Sequence, residues 1–419
     1  MLTYFPRLYK DELLYSWFAR YHLHSANISP KQTMRDLYGN SNMIAVPDLP
    51  TDLLKIYENI QHFDVPDVES WIKNHTFYRY YTSFLSESQK EAVYMAMEKG
   101  TWSKSIHLAT GVMASSIKDI VYFRYCKRCV QEDLNERGET YWRLLHQLPS
   151  VFVCNKHNEL LVSSKLLFRG RNRHEYQSIK ASNLSSVPIA KTNEKTTFFL
   201  TMLTEQTVEL MEADHIFTVK GIQSAYKYLL QKQGFANFYG TVNQEKLAKQ
   251  FISFYGQEFL ELVQSNVDYL NESCWLKNIT RKQRKSFHPI RHMLIINFVG
   301  ERINSFYQYA REKRYPFGKA PYYCLNPAAD HYHKRVIPSV TLSTCTGTRR
   351  PVGTFKCTCG FIYSRRGPDI TSEDAFKIGR VKHFGQVWLD RLQLLVTQGQ
   401  SDYAISKTLN CDIGTVKKI

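Results

Sequence analysis

Cys126-Lys-Arg-Cys129 and, after twenty-four intervening residues, Cys154-Asn-Lys-His157 constrain the fold of this chain more than any other feature. Two close pairs, each on a tight turn, can bring three thiolates and one imidazole into a single tetrahedron around Zn2+. Such a set leaves no coordination position open, so the site it predicts is structural rather than catalytic, and the surrounding module needs metal to fold. Lys127, Arg128 and Lys156 on the two turns offset part of the negative charge of the centre. A second window holds Cys324, His331 and His333 ahead of Cys357-Thr-Cys359. It predicts a second structural zinc site built from Cys324, His331, Cys357 and Cys359, with His333 as the substitute for His331 and Cys345 as a further candidate. Seven of the nine cysteines fall within 126–157 and 324–359. An odd total and no secretory signal argue against disulfides, so the cofactor expected is Zn2+ at two structural sites.

Around these windows the patterning is mostly helical. Asp11 is placed to cap a helix in which Leu13, Leu14, Trp17, Phe18 and Tyr21 share one face, and Ser29-Pro30 starts a second helix that Gly39 ends. The pair is compatible with a helix-turn-helix and with any small helical bundle. Further helical patterns cover about 68–81, 86–99 and 199–298, the last with breaks near Gly221, Gly234 and Gly256. At 419 residues, and with about 100–200 residues per domain, the chain holds two to four domains. The fold class expected is a mainly α multidomain protein, with helical and helix-turn-helix modules interspersed with two small zinc-finger or ribbon modules. Its divisions fall at 1–118 (helical, helix-turn-helix-like), 119–165 (first zinc module), 166–198 (polar connector), 199–315 (helical DNA-binding middle domain), 316–380 (second zinc module) and 381–419 (a C-terminal helix-turn-helix that reads as truncated).

Charge points to the partner. Lys plus Arg total 55 against 38 Asp plus Glu, a net charge of +17, which favours a polyanion. A membrane is the weaker choice, because no run approaches the ~18 apolar residues of a spanning helix and Lys10, Asp11 and Glu12 interrupt the first twenty residues. The expectation is a soluble intracellular protein that binds nucleic acid. Between Lys277 and His292 lie Lys277, Arg281, Lys282, Arg284, Lys285 and Arg291 with no acidic residue, interleaved with Phe287, His288 and His292. Positive charge without carboxylates favours phosphate contact. Arg349, Arg350, Arg365 and Arg366 add charge around the second zinc window. At the end of the chain, helical patterns at 388–396, 402–409 and 412 onward, with Ser401 as a cap and a turn at Asn410-Cys411, form a helix-turn-helix whose recognition helix carries Thr415, Lys417 and Lys418.

No enzyme signature stands out: there is no H-E-x-x-H, no phosphate-binding glycine loop and no nucleophile elbow, and the carboxylates are scattered. A non-enzymatic protein is therefore expected.

The opening Phe5-Pro6, Asp11-Glu12 and Tyr15-Ser16-Trp17, together with His75-Thr76-Phe77, Phe123 to Asp133, and Gly138 through Trp142, Arg143, His146 and Pro149 to His157, resembles the TnsD/TniQ family of transposon target selectors. His288-Pro-Ile-Arg-His292, Cys324-Leu-Asn-Pro, Phe355 to Ser364 and Gly379-Arg380 resemble the longer, TnsD-type members. The resemblance implies a sequence-specific protein that binds a double-stranded DNA attachment site. Through its N-terminal region it would recruit the AAA+ ATPase TnsC, and indirectly the transposase, with no membrane role and a cytoplasmic, nucleoid-associated location. Ala329 stands where many relatives carry a cysteine, so His331 must serve if the second site holds metal. The competing readings are a TniQ-type adaptor of an RNA-guided complex and a zinc-dependent transcription regulator. A transposase or nuclease would need a carboxylate cluster, and a protein-only scaffold leaves the charge unexplained.

Overall fold

The first helix, Leu14–His24, buries Leu14, Trp17, Phe18 and Tyr21 together, as their spacing requires. Its entry differs from expectation. Asp11 does not cap it; Leu13 holds that position, its N–H donating to the Trp142 carbonyl at 2.8 Å, while Asp11 accepts from the Tyr141 hydroxyl and pairs with Arg143. A partner more than a hundred residues away thus replaces the local cap. Pro30–Tyr38 follows, with Pro30 in its first turn and Gly39 in the left-handed region at φ 69° closing it. In this computed structural model the residues described are 2–100, 106–111, 115–185, 187–213, 218–237, 240–281, 286–311, 315–348 and 350–418.

They fall into two compact units, 1–311 and 312–419. Helices carry most of the regular structure, and the sheets are small. The pattern over 68–81 is two helices, Val68–His75 and Tyr78–Thr82, separated where Thr76 takes an extended backbone. Glu87–Lys99 begins with a capping box at Ser86 and Gln89. Strand Tyr122–Tyr125 pairs antiparallel with Val162–Leu167, and these two strands flank the first cysteine window.

Within the stretch expected as a connector, 166–198, residues 173–179 pack against the N-terminal helices and the loop that follows them. Tyr176 and Ile179 are buried, the Tyr15 hydroxyl donates to the Glu175 carbonyl, and the Trp142 indole N–H donates to the Gln177 carbonyl. Helices Glu194–Glu212, Val219–Lys232, Gln244–Tyr255, Gln257–Leu262, Trp275–Thr280, Pro289–Phe298 and Ile303–Arg311 complete the first unit. Gly221, read as a break, sits inside Val219–Lys232. A Cβ there would lie 2.2 Å from the Ala310 carbonyl oxygen, so glycine lets that helix close on Ile303–Arg311. Gly256, by contrast, does separate two helices at φ 83°.

The second unit opens with a short hairpin, Tyr322–Tyr323 against Arg335–Ile337. A four-stranded antiparallel sheet follows in sequence order: Val340–Thr344, Pro351–Lys356, Ile362–Arg366 and Arg380–His383. Phe317, Phe355, Tyr363 and Trp388 pack in its core. Helices Gln386–Thr397, Asp402–Thr408 and Ile413–Val416 end the chain, matching the three predicted patterns. No helix among the described residues is long and apolar enough to cross a membrane.

Candidate metal centres and nucleic-acid surface

Strand Tyr122–Tyr125 delivers Cys126 to the N-terminus of helix Lys127–Arg137, whose first turn presents Cys129. Across from it, the chain reverses sharply after Cys154. Asn158 N–H donates to the Cys154 carbonyl, Cys154 N–H to the Glu159 carbonyl, and Asn158 takes φ 54° to close the turn on His157. The four side chains converge. His157 Nδ1 lies 3.3, 3.4 and 3.7 Å from the sulfurs of Cys126, Cys129 and Cys154, and Cys129 and Cys154 Sγ are 3.7 Å apart. Metal–ligand lengths of about 2.3 Å (sulfur) and 2.0–2.1 Å (nitrogen) give tetrahedral edges of about 3.8 Å between sulfurs and about 3.5 Å between sulfur and nitrogen. The observed spacings therefore fit one tetrahedral ion.

The second set also assembles. Cys324 follows the first strand of the hairpin, and Cys357 and Cys359 lie on a turn in which Cys357 N–H donates to the Phe361 carbonyl. His331 Nε2 is 3.2 Å from Cys357 Sγ, and Cys324 and Cys359 Sγ are 3.8 Å apart. All four ligand atoms lie within 4.8 Å of one another. His333 points elsewhere: it is exposed, with its ring stacked 3.8 Å from Tyr332. Cys345 is also outside the cluster.

The described residues of the basic segment are arranged differently from a row of exposed cations. Lys277 is buried and paired with Glu272 at 2.9 Å; half-exposed Arg281 pairs with the same carboxylate at 3.2 Å. His288 is buried at the N-terminus of Pro289–Phe298, accepting from Ile290 N–H, and burial together with Arg291 pushes its pKa down to about 3. Arg291 is buried too, donating to the Ser116 hydroxyl and lying over the Trp275 ring at 5.2 Å. Lys282, Arg284 and Lys285 lie outside the described residues, as does Arg349. Arg365 is interior, paired with Asp369 between the faces of Phe317 and Phe355, whereas Arg366 is exposed and Arg350 half-buried. For Lys277, His288, Arg291 and Arg365, then, burial and internal partners replace the exposure that a phosphate contact requires. Counting charges from 277 onward overlooked Glu272, five residues earlier.

The C-terminal helices form the expected turn. Ser401 accepts from Ala404 N–H, Asn410 takes φ 46°, and Asp412 accepts from Gly414 N–H at 2.7 Å. Trp388, Ile405, Leu409 and Val416 are buried beneath, leaving Lys417 and Lys418 exposed and Thr415 half-buried.

Two residues that matter were missed. Glu132, one helical turn beyond Cys129, accepts from His157 Nε2 at 2.9 Å. Asp133, fully buried, receives a bidentate pair from Arg143 at 2.6 and 2.8 Å and further donors from Thr140 and Arg137. Helical spacing from Cys129 was the available signal for the first; the burial of Asp133 had none.

Residues 204–419 match the family model for Tn7-like transposition protein D, and residues 3–161 match that for TniQ. A curated relative, the transposon Tn7 transposition protein TnsD of Escherichia coli, is 28% identical over 297 residues, covering 70% of this chain and 56% of the relative. The chain thus spans about half the length of that protein. With more than half of its residues matched by that one model, the chain belongs to the Tn7-like transposition protein D family, TnsD.

Proposed function

We propose that this chain is a non-enzymatic target selector of a Tns-type transposon. It binds a double-stranded DNA attachment site in sequence-specific fashion and recruits the AAA+ ATPase TnsC through its N-terminal helical region, which in turn brings the transposase. The C-terminal helix-turn-helix carries this reading: it lies in the segment matched by the family model and leaves Lys417 and Lys418 exposed beside its last helix. Both cysteine–histidine clusters hold Zn2+ as structural ions. Their donor sets, three thiolates and one imidazole each, suit zinc and keep no position open for a reactant. Arg281, Arg366, Thr415, Lys417 and Lys418 are the DNA-contacting set on this account, with Lys282, Arg284, Lys285, Arg349 and Arg350 beside them. The work is done in the cytoplasm, on the nucleoid.

The match of residues 204–419 to the TnsD model supports direct reading of DNA over the adaptor role. Co-precipitation with TnsC separates a target selector from a transcription regulator, since the latter has no reason to retain the ATPase. Loss of TnsC capture on deleting the DNA-binding C-terminus, rather than on altering the 1–161 region, would contradict the assignment of the docking surface.

A further inference from the structure

We propose that Glu132 is the positioning residue that fixes which nitrogen of His157 faces the first metal centre, and that it thereby tightens the hold on Zn2+; this rests on the zinc reading above. Glu132 lies on helix Lys127–Arg137 three residues beyond Cys129, a spacing that sets both on neighbouring turns of one face. Its Oε1 is 2.9 Å from His157 Nε2, and its Oε2 accepts from Lys156 Nζ at 2.6 Å.

An ionised carboxylate only accepts hydrogen bonds, so the ring proton of a neutral His157 must sit on Nε2. That leaves the Nδ1 lone pair directed among the three sulfurs, where its distances of 3.3–3.7 Å already fit a shared ion. With no acceptor at Nε2, the imidazole is free to hold its proton on Nδ1 instead, where the metal belongs. Every binding event would then have to move that proton and turn the ring. A carboxylate behind the ring also makes Nδ1 a better donor to the metal. Lys156 holds the second oxygen of Glu132 at 2.6 Å and so keeps the carboxylate turned toward the ring.

The second centre is built otherwise. Its outer contact is an amide: Asn326 Nδ2 donates to Cys359 Sγ at 3.4 Å. It therefore serves as a reference within the same molecule, because a change at Glu132 should leave its metal untouched.

The test counts zinc bound to the full chain after dialysis against graded concentrations of a chromophoric Zn2+ chelator. Three variants, Cys154→Ala, Glu132→Ala and Glu132→Gln, are compared with wild type. Cys154→Ala reports what the first centre contributes. Wild type should keep about two ions where Cys154→Ala keeps about one, and Glu132→Ala should surrender one ion at a chelator strength roughly 10- to 100-fold lower than wild type. Glu132→Gln, whose amide oxygen still accepts from Nε2–H, should recover most of the loss. A role that rested only on the charge pair with Lys156 would not be rescued by the uncharged Gln. Retention by Glu132→Ala within about threefold of wild type overturns the proposal while leaving the metal centre intact. Equal counts in wild type and Cys154→Ala overturn the zinc reading of the first centre itself.

Discussion

Four donors from three residues meet at Asp133: two from Arg143, one from Thr140 and one from Arg137, around a carboxylate with no exposure. Arg143 also reaches Asp11 at 2.8 Å, tying the helix that presents Cys129 to the entry of the first helix. Removing one partner of a buried pair leaves the other charged and unsolvated, a loss of about 3–5 kcal/mol. Arg143→Ala should therefore lower the stability of the 1–311 unit by about 3 kcal/mol in urea unfolding, while Lys417→Ala, exposed, should change stability by less than about 0.5 kcal/mol. A second buried carboxylate sets a pH dependence. Burial alone would raise the Asp48 pKa, but the hydrogen bond and charge of His107, with Arg169, outweigh it and hold the group well below the usual carboxylate range. Burial likewise lowers His107, yet Asp48 lifts it above its ordinary value. The Asp48 contribution is present above about pH 3.9 and disappears only as pH falls through its depressed folded value. The His107 contribution is full below about pH 6.5 and is lost as pH rises through its raised folded value. Between pH 6 and pH 9 wild type should thus lose stability relative to His107→Gln; parallel curves for the two would contradict this.

Among the elements, the cysteine windows were the most legible in the sequence, because metal chemistry dictates residue type and spacing together and both survive without knowledge of the fold. The three C-terminal helices were legible too, since Ser401, Ile405 and Leu409 follow one another at four-residue offsets after the apolar-rich stretch from Trp388 to Val396. The four-stranded sheet was not. On the face that carries Phe355 and Tyr363 its strands have Gly353 and Arg365 where alternation would call for apolar residues, and the core is completed by Phe317 and Trp388 from outside it. Burial of Lys277 and Arg291 was equally hidden, because their partners Glu272 and Ser116 lie outside any window that a charge count inspects, as do Tyr80 and Tyr81 packed against His288. Gly221 misled in the opposite direction, its role being set by Ala310 on another helix. Gly221→Ala should cost about 1–3 kcal/mol, as a backbone oxygen 2.2 Å from the new Cβ cannot yield without parting the two helices. At the last turn, Asp412→Ala removes the cap of Ile413–Val416 and should loosen it by about 1 kcal/mol, weakening DNA binding without altering the metal content.

At the scale of the whole molecule, the DNA binding proposed above should be steeply dependent on salt, in proportion to the phosphates that the cations of this +17 chain neutralise. Each exposed cation that contacts a phosphate should contribute about 0.9 to the slope of log K against log salt, so Lys417→Ala and Lys418→Ala should each reduce it by about one. Arg365→Ala should leave the slope unchanged and act instead through lost packing between Phe317 and Phe355. The most direct measurement is a nuclease footprint of the zinc-loaded chain on DNA flanking the insertion point of its own transposon, at ~0.15 M salt, where non-specific phosphate binding is weakened. One discrete protected stretch, lost in Lys417→Ala/Lys418→Ala and after chelation, is the result expected of a direct-reading target selector. Uniform, weak protection over the whole fragment would contradict it.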